Sequence, residues 1–255
     1  MKRCLLALIA LAALLASPAQ ARQPALVDLQ VHDLERGELL PRLPHRGQDY
    51  VEGRPGHRYA LVLRNLTGER LLAVVSVDGV NVVTGETASP GQSGYVLAPW
   101  QRLEIRGWRK DLGSVAAFHF TALPDSYAAR TGRPGNVGVV GAAVFRERRP
   151  VPPVALAEAE SRAAKPGALA DAGAPQAARS RESLARQQLG TGHGERLHDR
   201  ATTTRFERAS RWPAQVEQIR YDATDALVAR GILPPRRHLA GHGPSAFPGG
   251  FVPDP

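Results

Sequence analysis

The sequence predicts a mainly β protein: an antiparallel, sandwich-like domain over residues 22–147, then a disordered Ala/Pro/Arg linker and a small α+β C-terminal element. Three observations carry this. Between Arg22 and Glu147, short runs of β-branched and aromatic residues alternate with polar ones and are punctuated by Gly, Asn and Asp, the rhythm of an all-β chain. No strand–helix–strand repeat runs through that segment, which disfavours a doubly wound α/β fold. Past Glu147 the composition turns to Ala, Arg, Pro, Glu and Ser, too poor in large apolar side chains to offset the entropy of ordering the chain.

Val27–Val31 alternates strictly, as a half-buried strand does. Tyr59–Arg64 is a second strand, and Asn65-Leu66-Thr67-Gly68 turns the chain after it. Leu71–Val77 is continuously apolar and reads as a central strand buried on both faces. Asp78-Gly79 is a two-residue hairpin signal, with Val80–Val83 returning. Tyr95–Leu97, Arg102–Arg106 (Leu103 and Ile105 inward), Val115–Thr121 and Val137–Phe145 complete seven to nine strands. Within Val115–Thr121 the alternation turns His119 to solvent, opposite Phe118 and Phe120. A helical turn is expected over Ser126–Thr131, capped by Asp125 and ended by Gly132. Residues 148–188 form the linker, with a transient helix at 179–189. The C-terminal element, 189–233, offers a strand at Val216–Tyr221 and a helix capped by Asp222 and ended by Gly231. The Pro-, Gly- and His-rich tail 234–255 reads as disordered.

Residues 1–21 have the three-part layout of a secretory signal peptide: basic Lys2-Arg3, the apolar run Cys4–Ala16, then Pro18 and a cleavage site with small residues at Ala19 and Ala21. The run is shorter than the roughly 20 residues a spanning helix needs. Cys4 lies inside it and not at the cleavage point, so lipidation is not expected. It is the chain's single cysteine, leaving residues 22–255 without a disulfide or thiolate. The expected location is the periplasm or the exterior, with no transmembrane span after cleavage.

The motifs RLLAVVSVDGVNVVTGETAS, SGYVLAPWQRLEIRGWR, VAAFHFT and DSYAARTGRPGNVGVVGAAVF, together with the later LGTGHGERLHDR, FERAS and IRYDATDALVARGI, resemble a family of uncharacterised secreted bacterial proteins. The resemblance implies a whole-domain unit and an exported protein. It carries over no activity and gives no catalytic residue.

Candidate chemistry is sparse. His193, Glu195 and His198, with Asp199 beside them, could ligate a metal such as zinc. Their spacing is not that of the HExxH helix, and the surrounding glycines read as a flexible polar loop. The Gly190–Glu195 stretch lacks the Lys-Ser/Thr of a phosphate-binding loop. His57 and His119 could act as bases with Asp78 or Asp111 as orienters, but no spacing selects them. Asp49, Asp78, Asn81 and Glu86 lack the order of a calcium loop. Trp100, Arg102, Trp108 and Arg109 set indoles beside cations near loop ends, a composition favoured at binding surfaces, although aromatics also simply fill cores.

Residues 22–147 carry 15 Arg+Lys against 13 Asp+Glu, and residues 148–255 carry 16 against 11. The basic half could attract polyanions, yet its arginines are interspersed with acids and no specific nucleic-acid signature is present. The expectation is an exported, non-enzymatic recognition module without cofactor, whose partner is an envelope protein or a surface polymer. The alternatives are a metal-dependent hydrolase using His193, Glu195 and His198, and polyanion binding by the basic C-terminal half.

Overall fold

A computed structural model describes residues 24–149 and 187–235. The leader with Ala19 and Ala21, nearly all of the linker and most of the tail lie outside the described residues. The elements, in chain order, are β1 (Val27–Asp33), β2 (Glu38–Leu39), β3 (Leu43–His45), β4 (Gln48–Gly53), β5 (Arg58–Asn65), β6 (Leu71–Val77), β7 (Val80–Asn81), β8 (Tyr95–Leu97), β9 (Arg102–Ile105), β10 (Gly107–Asp111), β11 (Ser114–Ala122), α1 (Tyr127–Arg130), β12 (Val139–Arg146), β13 (Leu189–His198), β14 (Gln215–Ala223) and α2 (Thr224–Ala229).

Alternation builds the first sheet. In β1 every second residue from Val27 is buried, and its register with β5 sets Leu29 against Leu63 and Val31 against Leu61. The sheet runs β2–β1–β5–β11–β13. β5 and β11 pair directly only at Tyr59–Phe118 and Arg58–His119. Beyond that point they diverge, and the next chain segment fills the gap as a chevron: β9 pairs with β5, and β10 with β11. The bend falls at Arg106-Gly107, where a Cβ on Gly107 would lie 2.0 Å from the Ala116 carbonyl oxygen.

The second sheet runs β3–β4–β14–β12–β6–β7, with β8 also on β6. The β6–β7 turn is the one the sequence predicts: Asp78 (φ 52°) and Gly79 (φ 72°) both adopt the left-handed conformation of a tight hairpin. β14 pairs antiparallel with β12 and parallel with β4, so the sheet is mixed. Between the sheets lies one core, including Leu29, Leu61, Leu63, Leu71, Val75, Phe118, Phe120, Val140, Ile219 and Tyr221. Each such side chain, fully buried, contributes about 1.5–3 kcal/mol.

The fold is thus a β-sandwich, with several local corrections. The helical turn is capped by Ser126, whose Oγ accepts from the Ala129 N–H, and not by Asp125; Gly132 (φ 74°) ends it as expected. Ala223, and not Asp222, precedes α2. The Asp222 carboxylate instead accepts the N–H groups of Gln188, Leu189 and Ala223 and binds Arg230. β4 escaped the periodicity because its inward positions are Asp49, Val51 and Gly53, of which one is a large apolar residue.

Two corrections concern the C-terminal residues. The stretch read as a polar, flexible loop is the ten-residue strand β13, antiparallel to β11. Its glycines serve close approach: a Cβ would lie 2.5 Å from Ser126 at Gly190, 2.2 Å from the His119 ring at Gly192 and 2.9 Å from the Ala117 carbonyl at Gly194. The strand and helix expected within 189–233 do form, but not as a separate element. β13 belongs to the first sheet and β14 lies between β4 and β12 in the second. Residues between β13 and β14 cross the outer face of the second sheet, where Phe206 covers Leu72, Val74 and Phe145 and the Arg208 guanidinium lies 4.4 Å above the Phe145 ring.

Candidate functional site

The register of β13 disperses the proposed metal ligands. His193 lies opposite Phe118 and stacks against Trp108, with Tyr127 beside it. Burial lowers its pKa, and Lys110 lowers it further. One extra residue in β13 opposite Ala116–Phe118 makes a bulge, from within which Glu195 reaches Arg58 Nη1 at 2.8 Å. His198 Nε2 accepts from Arg200 Nε at 3.2 Å, while Asp199 is bound by Arg109 and Arg106. Among the described residues no group of three or more His, Cys, Asp and Glu is placed to hold a metal ion. Asp49, Asp78, Asn81 and Glu86 do not converge either: Asp49 binds Arg42, and Asn81 Oδ1 accepts from the Val83 and Thr84 N–H groups.

The titratable pairs differ from those the sequence suggested. His57 Nδ1 lies 2.8 Å from Asp33 Oδ2, and the other Asp33 oxygen accepts the N–H groups of Glu35 and Arg36 in the β1–β2 turn. This pairing follows from the β1–β5 ladder, which sets Asp33 opposite Tyr59; nothing in the local sequence signals it. His119 does face outward, yet it lies across Gly192, and burial lowers its pKa. Asp111 ties its own loop, accepting from the Gly113 N–H and the Ser114 hydroxyl.

Asp78 has a second part to play besides its turn. Its side chain is buried and accepts three hydrogen bonds: Oδ1 from the Tyr221 hydroxyl (2.6 Å) and the Gly138 N–H (2.9 Å), Oδ2 from the Thr191 N–H (2.8 Å). The Thr191 hydroxyl lies 2.6 Å from the Tyr221 hydroxyl and 2.7 Å from that of Tyr59. Tyr59, Thr191, Tyr221 and Asp78 therefore form a buried polar chain that joins the two sheets. Burial pushes the Asp78 carboxyl up to about 6, against the pull of its donors, and raises both tyrosines well above their usual range.

Of the four indole and cation candidates, the structure keeps two at the surface. Trp108 is buried against Phe118 and Tyr127, with its Nε1 lacking a hydrogen-bond partner. Arg109 is nearly buried, holding Asp199 Oδ1 at 2.6 Å and the Tyr95 hydroxyl at 3.1 Å. Trp100, in contrast, is 67% exposed. It adopts φ 61°, a left-handed conformation that costs a non-glycine residue about 1–2 kcal/mol. Arg102 is exposed on the outer face of the first sheet, directly opposite Arg64.

A groove of about 740 Å³ opens at the mouth of the sandwich between β3, β4 and β14. Arg42 fills its floor, bonded to Asp28 (3.0 Å), Asp49 (3.1 Å) and Glu217 (2.5 Å), and Gln215 seals the adjacent backbone of Leu26 and Val27. This is a polar plug tying the sheets together, with its cation already shared among three carboxylates.

Among the described residues no helix is long and apolar enough to cross a membrane. No protein-family profile matches the chain, and neither a curated protein nor a solved structure matches it.

Proposed function

We propose that the chain is an exported, non-enzymatic protein of the cell envelope that acts as a recognition module through the surface around Trp100, in the turn that leads into β9. The observation that supports this is Trp100: a large aromatic side chain left two-thirds exposed, on a backbone conformation that costs folding energy. Backbone strain concentrates at positions kept for function, and tryptophan and arginine are the residues enriched where binding energy is focused. The export half of the reading rests on the leader, Met1–Ala21.

The test uses the full chain without its leader, Arg22–Pro255, and the Trp100→Ala variant, both immobilised against envelope extract. Captured proteins are identified by mass spectrometry and captured polymers by sugar analysis. A partner held by the parent and lost from the variant is the expected result. No partner, or one held equally by both, overturns the recognition reading.

A further inference from the structure

We propose that Trp100, Arg64 and Arg102 form a binding site for an acidic polysaccharide, a polymer whose sugar units carry carboxylate or phosphate. The inference rests on the recognition reading and names its ligand class.

Arg64 and Arg102 are register partners on β5 and β9, which sets their Cβ atoms about 5 Å apart on one face. Both are exposed. Like charges directly opposite each other destabilise a sheet, and a bound anion reverses that cost. The surrounding carboxylates offset this pair only in part. Asp28, opposite Arg64 on β1, is bonded to Arg42 at 3.0 Å. Glu104 pairs with Arg102 at 3.8 Å, a long contact, and Arg64 has no such carboxylate bonded to it among the described residues. The Arg64 guanidinium has no hydrogen-bond or ion-pair partner among the described residues. Two planar forks on one spot suit a carboxylate or phosphate, which each can grip through paired N–H groups.

Trp100 follows this rung along the same two chain segments. Beyond the Arg64–Arg102 rung, the Asn65 N–H donates to the Gln101 carbonyl (2.9 Å) and the Trp100 N–H to that of Thr67 (3.1 Å). The Trp100 ring lies over Gly68, where an added Cβ would be 3.8 Å away, in ordinary contact. An exposed indole two residues along the chain from a cation pair offers a sugar polymer what it needs: an apolar surface for a C–H face, and donors for an acid group. An acidic peptide would use the arginines without needing the indole.

Titration calorimetry on the full chain tests this with four probes: oligogalacturonate, phosphorylated oligomannose, neutral dextran oligosaccharide and poly-glutamate. The expected result is binding of one or both acidic sugars, with the stronger one identifying the acid group. Trp100→Ala should weaken it at least tenfold, and Arg64→Gln with Arg102→Gln should reduce it to the level of dextran, in each case with a thermal midpoint no lower than the parent's. Failure to bind either acidic sugar, equal binding by Trp100→Ala and parent, or equal Trp100-dependent binding of poly-glutamate overturns the proposal. If the envelope partner still depends on Trp100 while the sugars do not bind, the ligand class is wrong and the recognition reading stands; if neither depends on Trp100, both fall.

Discussion

Replacing Asp78 with Asn tests what governs the buried polar chain. Two effects oppose each other at this carboxyl. Three donors favour the anion, and an arrangement of that kind can hold a carboxylate below its usual range. Burial favours the neutral acid, and here it prevails, raising the group from 3.8 to about 6. A group raised in the folded state contributes stability that is complete below its unfolded value and is lost as pH rises through its folded value. The parent should therefore lose about 2 kcal/mol between pH 4 and pH 7 through this group alone. Asn tolerates the left-handed turn conformation, resembles the protonated acid and does not titrate. Urea unfolding of parent and Asp78→Asn variant at half-unit pH steps gives a difference curve in which other titrating groups cancel. That difference should move by about 2 kcal/mol in favour of the variant between pH 4 and 7. A flat curve, or one moving towards the parent, would show that the donors outweigh burial and refute the reasoning.

Two further predictions concern architecture. A chain ending at Arg149 loses the strand between β4 and β12 together with Ile219, Tyr221 and Leu227, so it should show no cooperative thermal transition; adding residues 187–235 as a separate peptide should restore one. Gly107→Ala would push a methyl into the Ala116 carbonyl at the chevron bend and should cost about 1–3 kcal/mol or more in urea unfolding, whereas Gly113→Ala, with only the Asp111 side chain 3.4 Å away, should cost less.

Strong periodicity made some elements legible. The runs around β1, β5, β6, β11 and β12 bury alternate or consecutive apolar residues, and Asp78-Gly79 marks its turn. β13 was not legible because its glycines look like flexibility, while what they supply is room for His119, Ser126 and Ala117 across the ladder. The sequence also could not show that β14 completes the second sheet, since its partners β4 and β12 are remote in the chain. Trp100 and Trp108 share a local context of neighbouring cations, yet one is at a turn outside the sheet and the other faces Phe118. The Asp33–His57 and Asp78–Tyr221 pairs depend on long-range register, which local spacing does not encode.

The position of β14 also sets a timetable. Glu52 and Thr224, which bond to each other, are 172 residues apart in sequence. A polypeptide emerging N-terminus first from a ribosome or a membrane channel exposes β4 and β12 long before the strand that joins them arrives. Their facing edges stay unsatisfied until almost the last residue of β14 is out. Closing such a distant pair is slow because the intervening loop must be ordered first. The second sheet therefore cannot close until its C-terminal strand has arrived.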